Sequence, residues 1–425
     1  MNASNKILKG DRVIWIIAIL LGIVSLIVVY SAASALVTRN YDGNTGRMLM
    51  KHAGTLFLGY VCMFIAYKID YTKYTKISPF ALIICIIALV YTMFFGARLN
   101  NASRSISLGG FSLQPSEFAK IALITYLATM LVVLKEKLSS FKFVFWLLFI
   151  PIFGTVGCIF SENLSTAALL LFVCMVLLFI GNVKFMHILA ITGIMVGAFG
   201  CYILYDNIMT NIKNNKAEKA VAEALAKGEE PEAIKMRQSR VETWINRLKG
   251  DDDEDADPFN NHNYQQTFAK IAVGTSSFFG KGPGKSEQRN FLPHPYSDFI
   301  FAIIIEEYGL FGAGIVILLY LILFFRVIRI TSKRPMSFAS YLSLGLGMLV
   351  VTQALINMGV SVTILPVTGQ PLPFISMGGS SIMATGILIG MILSVTKSIE
   401  AEEVENIEIE TENTDSDERQ VESRD

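Results

Sequence analysis

Glu117 and Lys120 stand three residues apart, a spacing that places both on one face of a helix. Pro115 suits the first helical position and Glu117 the first turn, so helix capping with a local ion pair explains part of the pattern. Lys120, however, falls inside an apolar run, where an ionisable group is a functional candidate by default. Arg104 lies just upstream. Asp298 opens another apolar run directly after Ser297. That pair reads as an N-cap followed by a first-turn acid, and equally as a carboxylate held at the edge of a membrane. Glu306 and Glu307 follow about 12 Å deeper, at 1.5 Å per residue. Two carboxylates at that depth need a cation, a partner or water, and Lys120 and Arg104 are the candidates.

Lys281 and Lys285 flank Gly282-Pro283-Gly284, with Arg289 beyond. Glycine and lysine together could hold a phosphate through backbone N–H groups and charge, although the spacing is not a P-loop and a solvated basic loop fits as well. Gly378-Gly379-Ser380-Ser381 opens the last apolar run, where a helix N-terminus and the Ser380 hydroxyl suit an anion. Gly386 and Gly390 are spaced for close helix packing. With Gly345, Gly347 and Gly359 they would also let a partner's single span approach the last two helices. The five cysteines all fall in apolar runs without disulfide or metal spacing and read as small buried hydrophobes.

The elements that must position these groups are membrane helices. Of the 425 residues 53% are hydrophobic and 17% charged, against about 25% charged in a soluble protein. A net charge of +1 provides no field for nucleic acid. Apolar runs of spanning length cover roughly 12–36, 49–67, 77–95, 115–134, 141–160, 162–180, 184–205, 298–325, 338–364 and 376–396. The fold expected is therefore an all-α polytopic membrane protein of about ten transmembrane helices, with a large extracytoplasmic loop between the seventh and eighth. The first run is longer than a signal peptide's apolar stretch of about 7–15 residues and reads as a retained helix.

Lys and Arg concentrate in one set of short loops, including Lys6, Lys9, Lys73, Lys76, Lys135, Lys137, Arg326, Arg329, Lys333 and Arg334. The opposite short loops hold only Arg39, Arg47, Lys51, Arg98 and Arg104. This bias puts both termini in the cytoplasm. The organisation is then a cytoplasmic N-terminus (1–11), helices one to seven (12–205), an outer loop (206–297), helices eight to ten (298–397) and an acidic tail (398–425) whose composition predicts disorder. Within the outer loop, 211–249 is helix-forming, 251–257 an acidic break and 260–295 glycine-rich. A third outer segment, 365–377, is uncharged and carries Pro366, Pro371 and Pro373. It cannot be regular helix and must be buried in protein or line a cavity. Charged residues from two spans and a long loop thus converge at the outer leaflet. The ligand they suit has an anionic head and a membrane-embedded tail.

Several segments together resemble the FtsW/RodA (SEDS) family. They are Gly110-Phe111-Ser112-Leu113-Gln114-Pro115-Ser116-Glu117-Phe118-Ala119-Lys120, Gly280-Lys281-Gly282, and Ser297-Asp298-Phe299-Ile300-Phe301-Ala302. Next come Glu306-Glu307-Tyr308-Gly309, Leu365-Pro366-Val367-Thr368-Gly369-Gln370-Pro371-Leu372-Pro373-Phe374 and Gly378-Gly379-Ser380-Ser381. All occur in the family's order over roughly 12–397. The sequence departs from the family's usual residues at Ser105, Asn163 and His294. The wording of Pro293-His294-Pro295-Tyr296-Ser297-Asp298 looks more like the division branch. The resemblance implies a peptidoglycan glycosyltransferase that polymerises lipid II at the outer face of the bacterial cytoplasmic membrane, at the division septum. It implies Asp298 as the catalytic residue and Arg104, Glu117 and Lys120 as substrate-binding residues, joined by Lys281 and Ser380. It implies a class B penicillin-binding protein as partner, alongside other division proteins. A divalent cation, Mg or Mn, near Glu117 is a further expectation. The rival readings are a lipid II flippase and a non-catalytic division scaffold.

Overall fold

The computed structural model describes residues 9–40, 45–95, 97–99, 102–108, 111–226, 264–292 and 295–422. Helices α1 (Arg12–Asn40), α2 (Thr45–Lys68) and α3 (Tyr71–Phe95) lead into three short antiparallel strands in the order β1 (Ala97–Leu99), β2 (Ala102–Leu108), β3 (Phe111–Leu113). Then come α4 (Pro115–Val133), α5 (Phe141–Val144), which continues through a π-helical turn (Phe145–Phe149) into α6 (Ile150–Glu162), α7 (Leu164–Ile180) and α8 (Phe185–Ala226). After the undescribed 227–263 follow α9 (Tyr264–Gly274), a 3₁₀ turn at Gln288–Asn290, α10 (Ile300–Lys333), α11 (Phe338–Ser361) and α12 (Gly379–Glu422). Among the described residues nine helices are long and apolar enough to cross a membrane. The apolar α7, of 17 residues, spans about 26 Å at 1.5 Å per residue. The ten apolar runs of the sequence thus all fold as helices.

The spanning stretches of α4, α11 and α12 are mostly buried, whereas little of that of α8 is. The glycines explain the close packing at the centre. A Cβ on Gly386 would lie 2.2 Å from the Gly59 carbonyl oxygen, and one on Gly390 2.2 Å from that of Met63. Gly345 faces Ile124 and Leu177, Gly347 faces Val327, and Gly359 faces Leu365. These small residues are consumed inside the bundle, so they do not offer a partner's span the approach the sequence suggested. At the opposite end from the strands, Arg326 pairs with Asp11 at 2.5 Å and Lys333 with Glu403 at 2.5 Å, Arg334 pairs with Glu402, and Gly10 N donates to Glu400 Oε2 at 2.6 Å.

One feature adds to the expectations and three differ from them in detail. The 96–114 loop carries a small sheet, because Ile106 and Leu108 alternate with serines at a period of two. The seventh helix runs on past 205 to Ala226 as one helix of 42 residues, since the Ala/Glu/Lys-rich stretch favours helix. The tail expected to be disordered is helical up to Glu422. A transmembrane helix supplies the nucleus, so a Glu-rich continuation only needs to propagate. Finally, α10 is broken at Gly309, at φ 68° and ψ −169°. Residues 300–308 form a short helix of their own, and 310–333 alone are about 36 Å long, enough to span.

Candidate active site

Asp298 lies not in the first turn of α10 but before it. The helix is preceded by Phe299 as its cap, with no side-chain cap bond. Ser297 therefore does not serve as the expected N-cap. Its hydroxyl donates instead to Asp298 Oδ1 at 2.8 Å. The backbone here is pinned from the proline-rich 365–377 segment: Ser376 Oγ donates to the Ser297 carbonyl at 2.6 Å and Met377 N to that of Tyr296 at 2.9 Å. Asn357 Nδ2 on α11 donates to the Asp298 carbonyl at 3.0 Å. Gly369, at φ +66°, presents only hydrogens toward Asp298 Oδ2; a Cβ there would come within 3.8 Å of it. The result is a half-buried carboxylate whose backbone is pinned from the 365–377 segment and from α11.

Lys120 is 2% exposed and its ammonium has two partners, Glu117 Oε1 at 2.9 Å and Gln353 Oε1 at 3.0 Å. Pro115 at the start of α4 and the strand before it set the depth of this pair. Gln353 and Asn357 are four apart on one face of α11. Gln353 Nε2 donates to the Pro371 carbonyl at 3.0 Å and Asn357 Nδ2 to the Gln370 carbonyl at 2.7 Å. A ladder of polar contacts thus runs from Glu117 and Lys120 through Gln353, the 370–371 backbone and Asn357 to Asp298. The Gln370 amide reaches Thr166 Oγ1, and Asn163 caps α7 by accepting from Ser165 N and Thr166 N. A small pocket beside Lys120 is lined by Glu117, Gln353, Pro373 and Thr385 among others. The amides Gln353, Asn357 and Gln370 went unread in the sequence. Their signal was available, since two amides at a four-residue spacing in an apolar span must be hydrogen-bonded to be buried.

Glu306 and Glu307, both fully buried, are not partnered by Lys120 as expected. The glycine-rich loop covers them instead. Lys281 Nζ lies 2.9 Å from Glu306 Oε1, and Arg289 Nη1 3.9 Å from Glu307 Oε1. The depth argument from a continuous helix fails because of the break at Gly309. Through its bond to Glu306, then the charges of Glu306 and Glu287, the Lys281 ammonium is held above the ordinary lysine range.

A family model described as a cell cycle protein, FtsW/RodA/SpoVE, matches residues 11–401. The chain belongs to this family. It is 30% identical over 404 residues to the stage V sporulation protein E of Bacillus subtilis (strain 168), covering 93% of this chain and 99% of that protein. It is 29% identical over 392 residues to a probable peptidoglycan glycosyltransferase FtsW of Geobacter sp. (strain M18), covering 91% and 96%. Its fold resembles a chain of a peptidoglycan synthase complex in which polymerization and crosslinking are coordinated, at TM-score 0.64 and 19% identity, over 92% of this chain and 98% of that one. It also resembles the rod shape determining protein RodA of Thermus thermophilus, at TM-score 0.59 and 19% identity, over 91% and 97%.

The FtsW/RodA segments that lie far apart in sequence meet in space. Gln114 N donates to Ser380 Oγ at 2.9 Å and Ser380 Oγ to the Ser112 carbonyl at 2.8 Å. The Ser380 hydroxyl is therefore engaged on both sides by backbone, fastening β3 and the start of α4 to the start of α12. Arg104 is the extra residue where the β1–β2 register shifts, Ala97 facing Ser105 and Arg98 facing Ser103; its side chain lies outside what is described, as does His294. Glu117 Oε1, near which a divalent cation was expected, is engaged by the Lys120 ammonium at 2.9 Å. Among the described residues no three acidic, histidine or cysteine side chains cluster as metal ligands.

Proposed function

We propose that this chain, a peptidoglycan glycosyltransferase of the FtsW/RodA family, polymerises lipid II at the outer face of the cytoplasmic membrane during division, with Asp298 as general base. The observation that carries the proposal is the polar ladder from Glu117 and Lys120 to Asp298. Buried amides and charges are costly in an apolar bundle unless hydrogen-bonded, and this ladder ends at the half-buried Asp298. Asp298 takes the proton from the acceptor sugar's 4-hydroxyl as that oxygen attacks the donor's anomeric carbon with inversion. Undecaprenyl diphosphate leaves, and the positive charge of Lys120 and Arg104 offsets the charge that builds on it. The partner that crosslinks the strands is a class B penicillin-binding protein, and both termini face the cytoplasm. Access favours this reading over a flippase, because the buried charged side chains Glu117, Lys120, Glu306 and Glu307 lie toward the end of the bundle that carries Asp298.

The test is polymerisation of lipid II by the purified protein with its partner. Asp298→Asn keeps the size and the Ser297 contact. Since Asp298 stands outside the first helical turn, the helix-dipole part of the structural cost is at most ~0.3–1 kcal/mol. Loss of the base should lower the rate at least about 100-fold. A near wild-type rate in the Asn variant would remove Asp298 from the mechanism.

A further inference from the structure

The glycine-rich outer loop is bound to the short helix 300–308 at two levels. Its backbone caps the helix end: Lys281 N donates to the Glu306 carbonyl at 2.9 Å, Gly282 N to that of Glu307 at 2.9 Å, and Phe311 N returns to the Phe278 carbonyl at 3.1 Å. Gly280 and Gly309 make this approach possible. Both have positive φ, and a Cβ on either would lie 2.3 Å or less from backbone of the other segment. The two carboxylates then organise the next stretch of loop. Glu306 accepts from Lys281 Nζ at 2.9 Å, Glu287 N at 3.1 Å, Gln288 N at 3.4 Å and Ser286 Oγ at 2.5 Å. Glu307 accepts from Ser286 N at 3.3 Å and from the Ser31 hydroxyl on α1, and Arg289 Nη1 donates to the Ser31 carbonyl at 3.1 Å. Few surface turns direct three successive backbone N–H groups onto buried acids, and here 286–288 do so.

Asp298 lies between these anchors. The chain leaves the carboxylates at 286–289, passes Asp298 and comes back to them at 306–307. We propose that Glu306, with Glu307, is a positioning residue for catalysis: the carboxylates close the 281–307 segment at its neck and so fix Asp298 at the site. The proposal rests on Asp298 as base. It gives Lys281, paired with Glu306 at 2.9 Å, a role in holding the loop. Glu306→Gln removes the charge that Lys281 pairs with and turns one acceptor oxygen into a donor facing the loop's N–H groups. The segment 286–299 then loses its fixed reference. A displacement of about 1 Å at a reacting group costs on the order of 100-fold in rate.

The experiment uses the full-length protein in nanodiscs with its transpeptidase partner and lipid II, comparing wild type, Glu306→Gln, Lys281→Met and the double variant. Amide exchange over 286–299 is followed in the same samples. Expected are a kcat lowered by about 100-fold in Glu306→Gln with KM within about twofold and exchange over 286–299 at least about tenfold faster. The double variant should be little worse than Glu306→Gln alone, because both changes break one contact. Lys281→Met removes a partly exposed group, so it tests the latch even where Glu306→Gln folds poorly. Unchanged kcat and unchanged exchange in either single variant would overturn the proposal, as would a raised KM with kcat intact, which would make Lys281 and Glu306 substrate contacts. The exchange result stands even where Asp298→Asn remains active, so a failed base assignment and a failed latch give different outcomes.

Discussion

Lys120→Met removes the one cation that, among the described residues, pairs with Glu117. The Lys120 and Glu117 side chains are 2% and 7% exposed, so the carboxylate left behind stays out of water. Breaking a buried pair at one partner costs about 3–5 kcal/mol. The Gln353 oxygen also loses its donor, which adds about 1–3 kcal/mol for an unsatisfied buried acceptor. Glu117→Gln made together with Lys120→Met leaves no buried charge, and replacing a whole buried pair is often close to neutral. The double variant should therefore be more stable than Lys120→Met by about 2 kcal/mol or more. Denaturant titration in detergent micelles reads this difference, and lipid II polymerisation is measured in the same preparations. Stability should return in the double variant while activity should not. Without the Lys120 charge the diphosphate leaving group loses electrostatic stabilisation, on the order of 10²–10³ in rate. Recovery of polymerisation in the double variant would refute the reasoning, because Lys120 would then serve only to neutralise Glu117. A cost below ~1 kcal/mol for Lys120→Met would equally refute it, since only a solvated pair is worth so little.

A reporter fused after Gly250 should be active only outside the cytoplasm, as the distribution of Lys and Arg requires; activity inside would invert the topology. Deleting 402–425 removes the Glu402 and Glu403 pairs with Arg334 and Lys333. These are a third to a half exposed and worth about 0–1 kcal/mol, so membrane insertion and purified polymerisation should survive, and loss of activity would give the tail a role in the bundle. The pKa of Lys281 is raised on folding, so its contribution to stability is complete below the ordinary lysine value of about 10.4 and is lost as pH rises through the higher folded value. Thermal unfolding followed from neutral to strongly alkaline pH should show the loss of this contribution only above about pH 10, and no such loss in Lys281→Met.

Membrane crossing was legible in the sequence because it depends on local quantities. A span is a count of apolar residues, a turn is proline and glycine, and the ten runs were helices where the chain predicted them. The presence of Glu117 and Lys120 on one helix face was equally local, being fixed by a three-residue spacing. So was the non-helical path of 365–377, since its prolines admit no other. The partners of the buried charges were not legible. Sequence distance along an unbroken helix placed Glu306 and Glu307 deep in the membrane and sent Lys120 to them. A single glycine at φ 68° ends that helix and lets the glycine-rich loop deliver Lys281 and Arg289 instead. The small sheet, the engagement of Ser380 by backbone and the ladder through Gln353, Asn357 and the 370–371 backbone likewise arise between segments far apart in the chain. The sequence by itself determined which groups had to be satisfied, because burying a charge or an amide costs the same wherever it occurs. Which atoms satisfy them was decided only when the helices packed, because a hydrogen bond depends on a few tenths of an ångström that no local pattern encodes.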